Sequence, residues 1–272
     1  MKTKNIIFIT LYLFFINIPS ILATLSIDKT FILFEKNIKN DSIRVYNQEN
    51  IKKNYLISLV NYAIKEDGTY ERLETTNEFS ANDLLSYTPK SLTIDPLGFQ
   101  IVRIQRKNTI DIPDGDYISF IMVQEVQDPE EKVVNPSKEK EQSNGIGVKI
   151  VPLFSISFPI VVRKGSSNSQ IEITDASIVY KKNDLYLDVL LFRSGTTSSR
   201  GGVNVKFGKQ IIGQVKGVNI FSNINKRTVS IPLIRSTTLE SILAPNKGNV
   251  LTLEYIDEAS GKVQNSYELK VK

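Results

Sequence analysis

From residue 25 onward, short runs rich in Val, Ile, Tyr, Phe and Thr recur along the chain, separated by Gly, Pro, Asn, Asp and Ser. That rhythm is the one left by β-strands joined through tight turns. In the first half it predicts strands at 25–34, 42–46, 55–64, 91–94, 100–106, 117–126 and 147–162. Seven strands are the complement of an immunoglobulin-like sandwich. In the second half it predicts strands at 170–180, 185–193, 203–207, 211–215, 219–221, 227–232, 250–256 and 265–271, enough for another sandwich. No long stretch carries a helical period with caps, and 76–86 has room for one short helix only. The fold class is therefore all-β, with two immunoglobulin-like β-sandwich domains.

The segment Lys164-Gly165-Ser166-Ser167-Asn168-Ser169 is a short polar joint after a long strand, the composition of a linker. A second polar stretch, 127–144, holds EE and KEKE runs and a proline, and reads as a solvated loop between two strands. At the start of the chain, Lys2 and Lys4 precede an apolar run at 6–18, which Pro19 and Ser20 break, with Ala23 as a small residue for cleavage. This is the layout of a secretory signal peptide, and the run falls short of the ~20 residues of a membrane span. The rival reading is an uncleaved anchor. The predicted organisation is a cleaved signal at 1–23, an N-terminal domain at 24–164 and a C-terminal sandwich at 165–272.

Composition narrows the chemistry. The 272 residues include no Cys and no His, which removes thiol catalysis, Cys/His zinc sites, disulfide staples and every Ser-His-Asp triad. Carboxylate pairs, Lys or Tyr chemistry and a carboxylate-bound metal remain open. Carboxylates are plentiful, but no pair is singled out. The reading is non-enzymatic, with no cofactor, no metal and no catalytic residue. Without residues 1–23 the net charge falls from +5 to +3, with 32 basic against 29 acidic residues. That is too little for a nucleic-acid footprint. Asp111, Asp114 and Asp116 miss the calcium-loop spacing, and Gly145-Ile146-Gly147 precedes a strand, not a helix. Residues 194–202, SGTTSSRGG, lack the Gly-Lys-Ser/Thr ending of a phosphate cradle and read as a flexible loop.

The longest alternation lies at 146–162. Its even positions are Ile146, Val148, Ile150, Pro152, Phe154, Ile156, Phe158, Ile160 and Val162, while the odd ones include Lys149, Ser155 and Ser157. One face of the strand is thus apolar throughout. Pro152 and Pro159 lack a ladder donor, which places the strand at an edge or a bulge. An apolar edge strand invites pairing with another chain.

Several segments in order resemble the PapD-like periplasmic pilus chaperones, as a divergent branch. They are TLSIDKTFILFE, YLISLVNYAIKEDGTYE, SYTPKSLTIDPLGFQIVRI, DIPDGDYISFIMV, VKIVPLFSISFPIVVRKG and GQVKGVNIFSNINKRTVSIPL. Gly115, two residues before Tyr117, has the spacing of a tyrosine corner. The resemblance implies two immunoglobulin-like domains set in an L, a periplasmic location, and capture of a pilus or fimbrial subunit by donor-strand complementation. In that mechanism an edge strand completes the subunit's open sandwich. The donor strand would carry Val148, Ile150, Pro152, Phe154, Ile156 and Phe158. An outer-membrane usher is the further partner implied. At the two positions where the family places basic residues for the subunit's carboxylate, this chain has Phe31 and Pro159. Lys29 and Arg103 are the candidate substitutes. The resemblance also implies an inter-domain ion cluster of Arg163, Asp116 and Glu258, with Asp257 adjacent, which fixes the angle between domains sharing little core. The alternative function is a secreted two-domain binding module or adhesin, although the chain has no Trp for a glycan platform.

Overall fold

The structure, a computed structural model, describes residues 24–107, 112–127, 152–181, 184–234 and 248–271. The signal segment 1–23, the polar stretch from 128 onward, and Val148 and Ile150 lie outside the described residues.

Two sheets make the first sandwich. One has the order β1 (Leu25–Ile27), β3 (Asn40–Asn47), β8 (Phe99–Arg106) and β6 (Leu85–Thr88). The other has the order β2 (Ile32–Phe34), β10 (Ser155–Lys164), β9 (Gly115–Val126), β4 (Lys53–Ile64) and β5 (Tyr70–Leu73), with β7 (Ser91–Ile94) also paired to β4. Alternation decides the faces. Along β8, Val102 and Ile104 point into the core and Arg103 and Gln105 point out to solvent. They meet Ile43 and Val45 of β3, and face Ile57, Ile121, Val123, Ile160 and Val162 of the opposite sheet.

The strand expected over 25–34 is two strands. Its first part pairs with β3 and its second runs parallel to β10, so the chain crosses between the sheets of one sandwich. The polar break at Asp28 and Lys29 marks the crossing. The Asp28 carboxylate accepts the Arg44 N–H at 2.8 Å. The expected short helix at 76–86 reduces to one 3-10 turn, Asn82–Leu84.

The second sandwich stacks β11 (Gln170–Lys181), β12 (Asp184–Ser194) and β15 (Lys226–Pro232) on β14 (Gln210–Ile220), β13 (Ser199–Phe207), β16 (Val250–Asp257) and β17 (Val263–Lys270). Leu187, Val189 and Leu191 meet Val203, Val205, Leu251, Leu253 and Tyr255 in its core. The two runs expected at 211–215 and 219–221 form one strand, which bulges at Lys216 and Gly217, the latter at a φ of +67°, before the ladder with β13 resumes at Val218. No ladder joins the described strands before Gly165 to those after it. The fold is all-β, as two sandwiches.

Burial predicts a stability profile at high pH. Desolvation pushes both Tyr55 and Tyr255 up to about 12 from 10.0. Each hydroxyl stays neutral in the folded chain while the unfolded chain ionises. A raised folded pKa gives stability that is full below pH 10 and is lost as pH climbs toward 12, by roughly 2–3 kcal/mol per tyrosine. Urea unfolding at pH 9 and pH 11 should show this fall, and Tyr55→Phe should remove its share of the dependence.

Candidate binding edge and interdomain cleft

Strand β10 has two neighbours for only part of its length. Along 155–164 it pairs antiparallel with β9, but β2 covers its other side only at 160–162. The Glu125 N–H donates to the Phe154 carbonyl at 2.8 Å. By antiparallel alternation, the even residues of β10 therefore bond to β9, and the backbone groups of Ser155, Ser157 and Pro159 face the other way. Over 155–159 no described strand pairs with that side. Pro159, which has no N–H, sits where the missing donor faces the unpaired side.

The even side chains sink gradually into the first core. Phe154 is 46% exposed, Ile156 is half-buried against the core, and Phe158 is 3% exposed within it. Pro152 is exposed. Phe158 is thereby corrected as a partner-contacting residue, because its side chain is already enclosed by this chain's own sandwich.

The other end of β10 enters a cleft between the domains. It has a volume of about 380 Å³, and its lining includes Phe31, Val161, Arg163, Arg200, Phe221 and Glu258. Neither Lys29 nor Arg103 is among the lining residues. Lys29 forms an ion pair with Asp41. Arg103 lies in the register row opposite Ser42, on the sheet face turned away from the core. The structure does not bring these two cations to the cleft. The cations that do line it are Arg163 and Arg200, and the Arg200 guanidinium lies 4.6 Å from the Phe31 ring centroid. It also meets Glu258 at 2.8 Å and donates to the Asn219 side chain at 3.1 Å. Arg200 falls in the segment expected to be a flexible loop. Instead, 199–202 is β13 strand, and Thr197 and Ser198 are buried.

Arg163 and Asp116 are paired as expected. The guanidinium donates through Nε and Nη2 to the two carboxylate oxygens at 2.8 and 2.9 Å, a two-point fork. Asp116 has no side-chain exposure. The Ser198 N–H donates to it at 2.7 Å, and Arg163 Nη2 donates to the Ser198 carbonyl at 3.1 Å. The Ser222 hydroxyl donates to the Asp116 backbone carbonyl at 3.1 Å. Glu258 is not the third member. It is held by Arg200, and the second sandwich contributes the Ser198 backbone instead, while Glu35 of the first approaches Arg163 at 3.4 Å. One bonded carboxylate already neutralises Arg163, so a carbonyl suffices on the far side. Burial opposes the charge of Arg163. The hydrogen bonds and charge of Asp116, with Glu35 and Asp257, outweigh it and hold the pKa above its usual value. The Tyr117 hydroxyl donates back to the Pro113 carbonyl at 3.0 Å, which closes the tyrosine corner.

The domains share more core than expected. On the outer face of the sheet holding β2, β10, β9 and β4, Val60, Ile118, Phe120, Met122 and Val161 enclose Phe221 of the second sandwich. The Phe120 and Phe221 rings meet edge-on at 6.3 Å, and Tyr62 and Tyr70 stack around Phe120. The β4–β5 turn adds a backbone contact, as Thr228 N–H donates to the Glu66 carbonyl at 2.7 Å.

No family model matches the sequence, and no curated protein matches it. Among solved structures, the chain is similar to the CupB2 chaperone of Pseudomonas aeruginosa, at 12% identity over 91% of this chain and 100% of that one, with a TM-score of 0.45. It is similar to the E. coli chaperone DraB at 12% identity over 91% of this chain and 96% of that one, with a TM-score of 0.46. It is also similar to a chain of the chaperone–tip subunit complex of Acinetobacter baumannii Csu pili, at 16% identity over 90% and 98% of the two chains, with a TM-score of 0.45. Each of these three structures is of a chaperone or contains one, the last together with a tip subunit of Csu pili.

Proposed function

We propose that this protein is an exported, non-enzymatic assembly chaperone that holds a β-rich pilus subunit by pairing one of the subunit's strands with the open edge of β10. The observation that carries the reading is the half-covered strand. From 160 to 162 β10 is a central strand, and from 155 to 159 it is, among the described residues, an edge with outward-facing main chain beside an exposed Phe154. Apolar strand edges left unpaired are hazards that proteins otherwise close, and the second sandwich does close one. The β11 N–H groups of Ile171 and Ile173 donate to the side-chain amides of Gln264 and Asn265 at 3.2 and 2.9 Å. An added strand on β10 would take its main-chain bonds from Ser155 and Ser157, and its register from Phe154 and Ile156. Pro152, Val148 and Ile150 would extend the donor face, and β2 would stop the added strand at Phe31. Lys29 and Arg103 do not line the cleft, so neither would anchor the subunit's chain end there.

Replacing Ser157 by proline tests this with little disturbance of the free protein, because the N–H removed bonds to no described strand. The tagged full chain, purified from the periplasm with its subunit, should hold the subunit about two- to tenfold more weakly, the equivalent of one ladder bond of roughly 0.5–1.5 kcal/mol. Its thermal midpoint should stay at the wild-type value. Undiminished subunit on a folded Ser157→Pro protein would end the reading.

A further inference from the structure

Arg193 is 2% exposed at the end of β12, and no acidic side chain bonds to it among the described residues. Its guanidinium has five N–H donors, and all five are used. Nε donates to the Ile224 carbonyl at 3.1 Å, and Nη1 donates to the carbonyls of Gly195 and Thr197 at 2.7 and 3.0 Å. Nη2 donates to the Ser222 carbonyl and to the Asn225 side-chain oxygen at 2.9 and 3.0 Å. The acceptors belong to two separate connections, 195–198 between β12 and β13, and 221–225 between β14 and β15.

Beside the contacts that Arg200 makes with Phe31 and Thr228 with Glu66, both connections touch the first sandwich. The former carries Ser198, which grips both Asp116 and Arg163. The latter carries Ser222, bonded to the Asp116 carbonyl, and Phe221, which fills the apolar cluster between the domains. The linker is bound into the same assembly, since Asn168 N–H donates to the Thr197 hydroxyl at 3.1 Å and its side chain accepts the Thr196 N–H at 2.8 Å. A buried cation is costly unless its donors are all bonded. This one has no partner charge in bonding contact, and its cost is offset only where both connections hold their observed positions.

We propose that Arg193 is the positioning residue that clamps the two interface connections of the second sandwich into one rigid surface, and so sets the orientation of the two domains around the cleft. It acts on the interface entirely through those connections. A lysine cannot replace it, since three donors on a single nitrogen cannot fork to five acceptors on two connections.

The inference goes beyond the chaperone reading, and its test needs no partner. The chain has no native Cys, so Gln105→Cys in the first sandwich and Glu268→Cys in the second give two spin-label sites, both on exposed strand positions. Electron-spin distance measurement on the otherwise wild-type full chain should give one narrow distribution. In Arg193→Lys it should broaden and its mean should shift, while circular dichroism shows both sandwiches still folded. Arg193→Met should broaden it further, and if that variant does not fold, the lysine variant decides. A lower melting temperature with an unchanged distance distribution would overturn the proposal, because Arg193 would then only stabilise its own domain. Subunit retention by Ser157→Pro reports on the chaperone reading separately, so either can fail without the other.

Discussion

Arg163→Ala is expected to cost about 3–5 kcal/mol of unfolding free energy, the range for leaving a buried charge without its partner. Asp116 has no exposed side-chain surface and would keep only the Ser198 N–H as a donor to its carboxylate. The Ser198 carbonyl would lose its bond from Nη2 in the same step. Urea unfolding followed by circular dichroism gives the size of the loss. Limited proteolysis should show new cleavage in 165–169, where the linker follows the released strand. A double variant, Arg163→Met with Asp116→Leu, removes both charges and should recover most of the loss, since an apolar pair of similar size needs no counter-charge. If the single variant lost less than the double, the stranded Asp116 charge would not be the source of the loss.

Phe221→Ala is expected to uncouple the two sandwiches. The ring is 1% exposed and belongs to the second sandwich by sequence, yet its neighbours Phe120, Val161 and Met122 belong to the first. Truncating a buried Phe costs about 3–5 kcal/mol through lost transfer energy and the cavity left behind. Here most of the cavity opens between domains, so each sandwich keeps its own core. Calorimetry should change from one joint transition to two, the lower at a reduced temperature. A single transition with an unchanged midpoint would show that Phe221 adds nothing to the coupling.

The strands were legible because burial on one face writes itself as alternation. Along β8, the polar Arg103 and Gln105 between Val102 and Ile104 fix both the element and its face. Where a strand has both faces covered, the signal changes character. The run 118–123, Ile-Ser-Phe-Ile-Met-Val, is apolar at nearly every position, because β9 packs against its own core on one side and against the second domain's Phe221 on the other. That unbroken run was the sequence's mark of an interdomain contact, and it is consistent with ordinary strand composition, so it passed as a strand and no more. The pairing of Arg163 with Asp116 was expected from the family resemblance. Glu258 was misassigned, and Arg193 and Arg200 were hidden within strands and loops whose spatial neighbours lie elsewhere in the chain. Residues 194–202 read as a flexible loop because Gly, Ser and Thr form loops, yet burial at the interface and the donors of Arg193 hold the turn.

By itself the sequence determined the all-β class and the apolar stripe that ends in Phe158, Ile160 and Val162. These are local properties, set by which neighbours in the chain are apolar and which are turn formers. Only the tertiary structure decided that β2 leaves 155–159 uncovered, that Phe158 is spent on the chain's own core, and that the cleft is lined by Arg163 and Arg200 and by neither Lys29 nor Arg103. A strand's periodicity records that one face is buried but not what buries it. Which edge stays open depends on where a separate strand, far away in the chain, stops pairing.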